Sequence, residues 1–428
     1  MAVMNLHRKV FFLLIVFLPT QLGFHFWPSW ASILGRTIDY LSPTVYFTDI
    51  LIFCLLLSWF FEMKIYTLFT SFFKKVDFLV VCVFLFTSIF VISNIVFAHN
   101  VNVAAIAWMK VLEYILFGFY IYQQRITLAD IVKPLAIGTS VVAVIGISQY
   151  IVQRSIGGIL WFLGERAFVV DTPAIARVTL CRLFSESCEL HLRAYSTFSH
   201  PNVFGGYLAV TLPLIFLETF KKTLDGKWRN VYRVVCALGI VALGVSFSRS
   251  AWIVAALSMA CTLFFRQKYL KLRLPFIVVL FTITLMGFFV APIQDESFVV
   301  RRQLNEAAIS IWQQSPFVGV GLNNFLYGLS PTIRSHQVYI LQPVHNIYLL
   351  LLAQLGVFGI VIVLCYIGLF FRGIRWKLQK ISPLYISLFA LLLLGTIDHY
   401  PLTLQQGQLL LSLIISMSLV AVRFPSAV

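Results

Sequence analysis

Charged side chains are scarce in this chain. They make up 11% of its 428 residues, against 60% hydrophobic residues, whereas soluble domains carry about a quarter charged residues. A soluble globular fold is therefore excluded for most of the chain. The sequence also lacks a polar stretch long enough for a separate soluble domain, and we find no internal repeat. These absences leave an all-α, polytopic integral membrane protein.

Apolar runs long enough to cross a bilayer recur along the whole chain. The first run could be the core of a signal peptide, but others follow at once, so we expect a retained helix. The runs predict about twelve transmembrane helices, at 10–26, 44–61, 76–98, 101–122, 131–153, 201–220, 231–247, 250–265, 274–292, 344–371, 382–398 and 404–422.

Lysine is absent from the predicted outer side of this membrane protein, and the basic residues are unevenly distributed between the two sides. With the N-terminus in the cytoplasm, 21 of the 32 lysines and arginines fall in cytoplasmic segments, ten fall on the other side, and Lys110 lies inside a helix. This is the positive-inside pattern. The net charge of +16 therefore orients the chain in a membrane and does not indicate a nucleic-acid partner. We predict a multi-pass protein of the inner membrane with both termini in the cytoplasm.

The ten basic residues on the predicted outer side are all arginines. Arginine binds phosphate oxygens two at a time, which lysine cannot do. The alternative is that individual arginines pair with nearby acidic residues. The ten are Arg36, Arg154, Arg166, Arg177, Arg182, Arg193, Arg249, Arg301, Arg302 and Arg334.

Two outer segments, 154–200 and 293–343, are too long to be simple connections, and such loops commonly carry function. They divide the chain into transmembrane regions 1–153, 201–292 and 344–428. The second segment predicts an amphipathic helix over 300–315, followed by Pro316 and a tight turn in GVGLNN, where Gly319 and Gly321 permit unusual backbone angles.

Cysteine and histidine spacing gives no metal-site pattern, and we expect neither a metal nor a cofactor. Two of the seven cysteines, Cys181 and Cys188, share the first outer segment. They could form a local disulfide or remain a pair of free thiols.

Three residues on the outer side are candidates for chemistry. His345 follows Pro343 at the start of a helix, where the helix dipole keeps imidazole neutral and able to act as a general base. The alternative is a polar interfacial residue with no chemistry, which is the commoner role of a lone histidine at a membrane surface. His200 precedes Pro201 and Asn202 in the same way, either in the site or as a structural start of its helix. Arg249 lies between two spans at the membrane boundary, where an arginine is costly unless it pairs or faces water.

Two further groups have structural interpretations. Lys110 and Glu113 lie three residues apart on one helix and can pair with each other. Asp398 and His399 end the eleventh span, where capping is the favoured interpretation over a role in orienting the site.

Four stretches resemble the O-antigen ligase and polymerase superfamily, integral membrane glycosyltransferases that use polyprenyl-diphosphate-linked glycans. They are RAYSTFSHPNVFGGYLA at 193–209, SFSRSAW at 246–252, RRQLNEAAISIWQQSPFVGVGLNNF at 301–325, and VHNIYLLLLAQLGVFG at 344–359. In the last stretch, His345 and Asn346 are followed by nine residues, a glycine, two residues and a glycine. The first half of the chain resembles the family only in being hydrophobic.

The resemblance implies a GT-C-like fold and a metal-independent, inverting transfer. It implies that His345 activates the acceptor hydroxyl and that Arg249 and Arg301 hold the diphosphate, with Arg302 as the alternative to Arg301. Asn305 stands where the family usually has an aromatic residue.

The sequence thus predicts an O-antigen ligase-like enzyme acting on the extracytoplasmic face. Its donor would be a polyprenyl-diphosphate-linked glycan and its acceptor a lipid, glycan or protein. The alternatives are a polysaccharide polymerase of the same superfamily and, in another class, a transporter of lipid-linked sugars. A transporter would commonly show internal repeats and a site near the midplane of the membrane.

Overall fold

The computed structural model describes residues 5–62, 78–181, 188–221, 224–264, 295–332, 341–372 and 382–424. The described residues are mostly helical. The helices are α1 (Leu6–Val16), α2 (Phe47–Glu62), α3 (Phe78–Val96), α4 (Val101–Gln123), α5 (Leu128–Val152), α6 (Pro201–Glu218), α7 (Gly226–Val245), α8 (Arg249–Phe264), α9 (Asp295–Gln314), α10 (Phe325–Leu329), α11 (Ile347–Arg372), α12 (Pro383–Gly395), α13 (Tyr400–Thr403) and α14 (Gln405–Arg423). Short 3-10 helices lie at Ser29–Ala31, Gly158–Leu163 and Ser330–Thr332.

Seven of these helices are long and apolar enough to cross a membrane, namely α3, α4, α5, α6, α7, α11 and α14. Two shorter apolar helices, α8 and α12, pack with them. The polytopic, mainly helical membrane protein predicted from the sequence is confirmed. The predicted ninth span, 274–292, lies outside the described residues, and the count of twelve and the GT-C-like arrangement stay predictions.

The first helix differs from the predicted span 10–26. It ends at Val16, three residues before Pro19, because the chain then enters strand β1 (Gly23–His25). That strand pairs antiparallel with β4 (Thr44–Tyr46). A second small hairpin, β2 (Ser32–Ile33) with β3 (Arg36–Thr37), lies between them.

The bundle is arranged around α6. Most of the α6 residues are buried, and α6 packs against α5, α7, α8 and α12. Its start is fixed locally: Pro201 occupies the first turn, where a missing N–H is tolerated. The His200 ring nitrogen Nδ1 accepts a hydrogen bond from the Asn202 backbone N–H at 3.1 Å and caps the helix. This central helix therefore presents His200 and Asn202 at one end of the bundle.

The predicted outer segments are folded onto that end. In the first segment, strands β5 (Arg177–Cys181) and β6 (Cys188–Leu192) form an antiparallel hairpin in which Cys181 pairs with Cys188. Cys188 is disulfide-bonded and is therefore not a free thiol.

The amphipathic helix of the second outer segment is confirmed as α9. Its buried face is formed by Leu304, Ala308 and Ile311, as the helical spacing predicts. These side chains join a small core with residues of the β2–β3 region and α10, apart from the core of the membrane bundle.

The turn after α9 docks into a break in α11. Gly356 has φ +60° and ψ −169°, which is not helical. The Val320 and Gly321 N–H groups donate to the Ala353 and Gln354 carbonyls, each at 3.1 Å. Val357 donates to the Pro316 carbonyl at 2.8 Å. The loop thus satisfies backbone groups that the broken helix leaves open, as irregular backbone inside a membrane protein requires.

Glycine is required on both sides of this contact. Gly319 and Gly321 have φ of +73° and +98°, and a Cβ on Gly319 would lie 2.4 Å from the Gln354 carbonyl carbon. A Cβ on Gly356 would lie 2.5 Å from the Phe317 carbonyl carbon. The contact fixes α9, which carries Arg301, against α11, which begins just after His345.

Candidate functional site

His345 lies immediately before the residue that caps α11. The Asn346 side-chain oxygen Oδ1 accepts hydrogen bonds from the backbone N–H groups of Tyr348 at 2.9 Å and Leu349 at 3.1 Å. Asn346 therefore has a helix-capping role. The His345 side chain is 18% exposed, so it is held in place yet reachable.

Two residues beside the His345 ring, Asp398 and His399, come from a different part of the chain. Asp398 Oδ1 lies 3.6 Å from His345 Nδ1, slightly beyond hydrogen-bond distance, and accepts the His399 backbone N–H at 2.8 Å. The rings of His345 and His399 have centroids 4.9 Å apart. On the other side, the Gln342 side-chain oxygen Oε1 lies 3.2 Å from His345 Nε2. Asp398 therefore caps locally and also faces His345.

A chain of hydrogen bonds joins Asp398 to the start of α6. The Asn202 amide nitrogen Nδ2 donates to Asp398 Oδ2 at 3.3 Å. The Asn202 side-chain oxygen Oδ1 accepts from Arg193 Nη2 at 2.8 Å, and Arg193 Nε donates to the Ser246 carbonyl at 2.9 Å. Asn202, given only a supporting position from sequence, thus lies between an arginine and the carboxylate beside His345.

The arginines predicted to hold a diphosphate are separated by the structure into two groups. Burial lowers the pKa of Arg193, and the positive charges of Arg249 and Arg301 add to this effect. Burial also lowers the pKa of His399, and Arg301 adds to that effect. Arg302 is on the exposed face of α9, where its Nε donates to Glu306 Oε1 at 2.9 Å. The geometry therefore favours Arg301 over Arg302 as a site residue.

Burial controls the ionisation of the site. It lowers the pKa of His200 to about 3, an effect that Arg193 strengthens, and the pKa of His399 to about 4. Burial opposes ionisation of Asp398, but His345, His399 and His200 together outweigh it and hold its pKa below the ordinary range. Near pH 7, His200 and His399 are neutral and Asp398 is a carboxylate.

A cavity of about 1880 Å³ begins beside His345, Asp398 and His399. Tyr40, whose ring meets His399 edge-on at 5.5 Å, and Arg166 line the same end. The cavity then follows α4, α11 and α14 as far as Tyr122, Phe371 and Leu419, near the far ends of these helices. A helix of the length of α4, 23 residues, spans about 35 Å, more than the roughly 30 Å hydrocarbon core of a bilayer. The cavity therefore offers a mostly apolar path through the membrane depth.

Polar side chains, Lys110 among them, interrupt the cavity wall below the site. Lys110 forms an ion pair with Glu113 Oε2 at 3.2 Å, which confirms the predicted pairing, and a second one with Asp49. Asp49 also accepts a hydrogen bond from Gln405. These pairs hold α2, α4 and α14 together.

His345, Asp398 and His399 could in principle hold a metal ion, because ligand atoms of the three lie within 4.8 Å of one another. The positive charge nearby opposes metal binding. Arg301 adds to the lowering of the His399 pKa by burial, and Arg193 adds to the lowering of the His200 pKa by burial. A divalent cation would add positive charge to a site that already holds arginines. The arginines near these three residues are better matched to an anionic ligand.

The sequence alone does not identify three residues of this cluster as site residues. Asp398 was expected chiefly to cap a helix, Arg193 was one of ten outer arginines, and Tyr40 was not singled out. A usable signal existed for Arg301: it precedes Leu304 by three residues and Ala308 by seven, which places it beside the buried face of α9, whereas Arg302 is not so placed.

The fold and the site define a polytopic membrane protein with a buried polar site at one end of a membrane-deep apolar cavity. Residues 234–364 match the family model of the O-antigen ligases, Wzy_C. No curated protein matches the chain. The matched residues include Arg249, Arg301 and His345, whereas His200 and Asp398 lie outside them. Residues 234–364 are therefore similar to the O-antigen ligases, a family of membrane glycosyltransferases that acts on lipid-linked glycans.

Proposed function

We propose that this protein transfers a glycan from a polyprenyl diphosphate carrier to an acceptor hydroxyl at the extracytoplasmic surface of the inner membrane. One observation carries the proposal. His345 faces the Asp398 carboxylate at the polar end of a cavity that runs through the membrane depth. A lipid-linked glycan needs this combination, because its chain is apolar and its reacting bond lies at the membrane surface.

His345 acts as the general base. With the Nδ1 proton directed to Asp398, the lone pair is on Nε2, beside Gln342. The Gln342 amide can rotate to donate to this lone pair when no substrate is bound. A bound acceptor hydroxyl takes that place and transfers its proton to Nε2. General bases of this kind contribute about 10²–10⁴-fold to a rate.

The transfer is a single displacement. The acceptor oxygen forms a bond to the anomeric carbon while the bond from that carbon to the diphosphate oxygen breaks. The electron pair leaves with the polyprenyl diphosphate, and the configuration of the sugar inverts. Asp398 stabilises the imidazolium formed on His345, as an adjacent carboxylate stabilises a protonated histidine.

Arg249 and Arg301 stabilise the charge on the departing diphosphate. The positive charges of both add to the lowering of the Arg193 pKa, so the three guanidinium groups share one region of the site. Fixed donors of this kind need no reorganisation during reaction, and losing one costs roughly 2.7–4 kcal/mol of transition-state stabilisation. This positive region performs without a metal the neutralisation that a divalent cation performs in other phosphate chemistry.

The proposal is tested with purified protein in nanodiscs, a polyprenyl-diphosphate glycan as donor, and a membrane extract as acceptor source. We expect transfer that is unchanged by EDTA. A single product size indicates ligation of a finished glycan, whereas a ladder of sizes indicates polymerisation. A second sample, lipid vesicles that contain the protein, measures movement of the donor across the membrane. Absence of transfer with every donor tested, together with donor movement in these vesicles, would contradict an enzyme and support a transporter.

A further inference from the structure

Arg193 is fixed in place by its backbone as well as by its side chain. It follows strand β6, and its N–H donates to the Ala176 carbonyl at 3.2 Å. The next N–H, of Ala194, donates to the Val245 carbonyl at 3.0 Å. Arg193 is therefore anchored between the outer hairpin and the end of α7.

The two side-chain bonds of Arg193 lead to different parts of the site. Nε donates to the carbonyl of Ser246, which begins the turn that carries Arg249. In that turn Phe247 has φ +48°, a strained backbone angle for a residue with a side chain. The Arg193 bond holds the turn that sets the position of Arg249.

The other bond leads to His345. Nη2 donates to Asn202, and the Asn202 amide donates to Asp398 Oδ2. The other Asp398 oxygen faces His345 at 3.6 Å. One guanidinium thus connects the turn carrying a proposed diphosphate ligand with the carboxylate facing the proposed base.

We propose that Arg193 is a positioning residue that sets the relative placement of Arg249 and the Asp398–His345 pair. This inference rests on the proposed transferase function. Arginine suits the role because its planar group presents several N–H donors in fixed directions, whereas the lysine ammonium is a single point with rotating donors. Arg193→Lys keeps the positive charge and removes the fixed fork.

The test compares wild type with Arg193→Lys, Asn202→Ala and the double variant in the transfer assay. Arg193→Lys is expected to lower kcat by about 10- to 100-fold, the usual range for losing a hydrogen bond to a charged group. If the two residues act through one chain of hydrogen bonds, kcat of the double variant is no lower than kcat of the worse single variant. A purely structural contribution would instead multiply the two losses.

Arg177→Lys is the matched control. Arg177 lies on the same outer hairpin and donates from Nη1 to the Val170 carbonyl at 3.3 Å, without a described link to Asp398. Its substitution should leave kcat within about twofold of wild type, as surface changes commonly do.

A second variant keeps the test open if Arg193→Lys fails to fold. Asn202→Asp keeps an acceptor for Arg193 but replaces the donor to Asp398 by a like charge. It should lower kcat while the protein stays folded. Wild-type kcat in Arg193→Lys or Asn202→Asp, or independent losses in the double variant, would overturn the inference. Failure of the proposed function itself looks different, because wild type would then show no transfer or His345→Ala would transfer normally.

Discussion

Replacing Gly356 by alanine tests how the outer loop is attached to the membrane bundle. Gly356 has φ +60° and ψ −169°, a conformation essentially restricted to glycine that costs other residues about 1–3 kcal/mol. The new Cβ would lie 2.5 Å from the Phe317 carbonyl carbon. The loop must therefore move away from α11.

That movement weakens two hydrogen bonds, from Val357 to the Pro316 carbonyl at 2.8 Å and from Phe358 to the Phe317 carbonyl at 3.0 Å. Each contributes about 0.5–1.5 kcal/mol. Together with the backbone strain, we expect Gly356→Ala to lower the free energy of unfolding by about 2–6 kcal/mol. Transfer should fall as well, because the loop holds α9 and Arg301 against α11.

Gly368→Ala is the control in the same helix. Gly368 lies in regular helix, and a Cβ there meets nothing within 4 Å. Alanine should be neutral or stabilising by up to about 1 kcal/mol. The measurement is equilibrium unfolding in mixed detergent–SDS micelles. Equal unfolding free energies for the two variants would refute the glycine-dependent break in α11.

The other predictions concern the site. Asp398→Asn should lower kcat at least 10-fold in the transfer assay by removing the charge that stabilises protonated His345, up to the roughly 10²–10⁴-fold of a general base; unchanged kcat would remove Asp398 from the mechanism. Arg249→Lys should impair transfer nearly as much as Arg249→Ala, because two-point contact with the diphosphate is lost; full activity with lysine would contradict that contact. Because burial lowers the pKa of His200 to about 3 and of His399 to about 4, the unfolded state binds their protons first, from about pH 6.5 downwards. As the pH falls, the free energy of unfolding should therefore decrease by roughly 1.4 kcal/mol per pH unit for each histidine, between pH 6.5 and its folded pKa. His399→Gln should flatten the pH dependence of the unfolding midpoint. An equally steep dependence in the variant would show that His399 is not buried in its neutral form.

Most of the membrane helices could be predicted from apolar run length alone. The run 404–422 is α14, Gln405–Arg423, and the run 101–122 is α4, Val101–Gln123. Lipid imposes this regularity, since every backbone group in a span must be paired within the chain. The predicted helix over the first run, 10–26, is wrong in its second half, because Gly23–His25 pairs with residues about twenty positions later. Local hydrophobicity does not predict such pairing between residues distant in sequence.

The break in α11 was also hidden from local reasoning. Gly356 sits in an apolar run that reads as continuous helix, and the family spacing marks the glycine without giving its reason. The reason is tertiary: the turn with Gly319 occupies the space and the backbone groups beside it. Asn94, buried in α3, adds to this contact by donating to the Val318 and Gln354 carbonyls at 2.8 and 3.0 Å.

The site was predicted in part, through the residues that helix starts display. His345 and His200 are recognisable because Pro343 and Pro201 mark where helices begin. Asp398 reads as an ordinary helix-end residue, and only the packing of α12 against the centre of the bundle brings it to His345. The relation of Arg193 to both is likewise absent from sequence spacing, because its partners lie on separate elements.

The most direct measurement is the single-turnover rate of glycan transfer by His345→Ala, with His191→Ala as control. His191 is a half-buried histidine on strand β6, and its Nε2 lies 3.5 Å from the carboxylate oxygen Oε2 of the exposed Glu189. We predict that His345→Ala folds and binds donor but loses at least 100-fold in rate, while His191→Ala keeps the wild-type rate. Wild-type transfer by folded His345→Ala would contradict the proposed role of His345 as general base and leave it as a residue at the end of a helix.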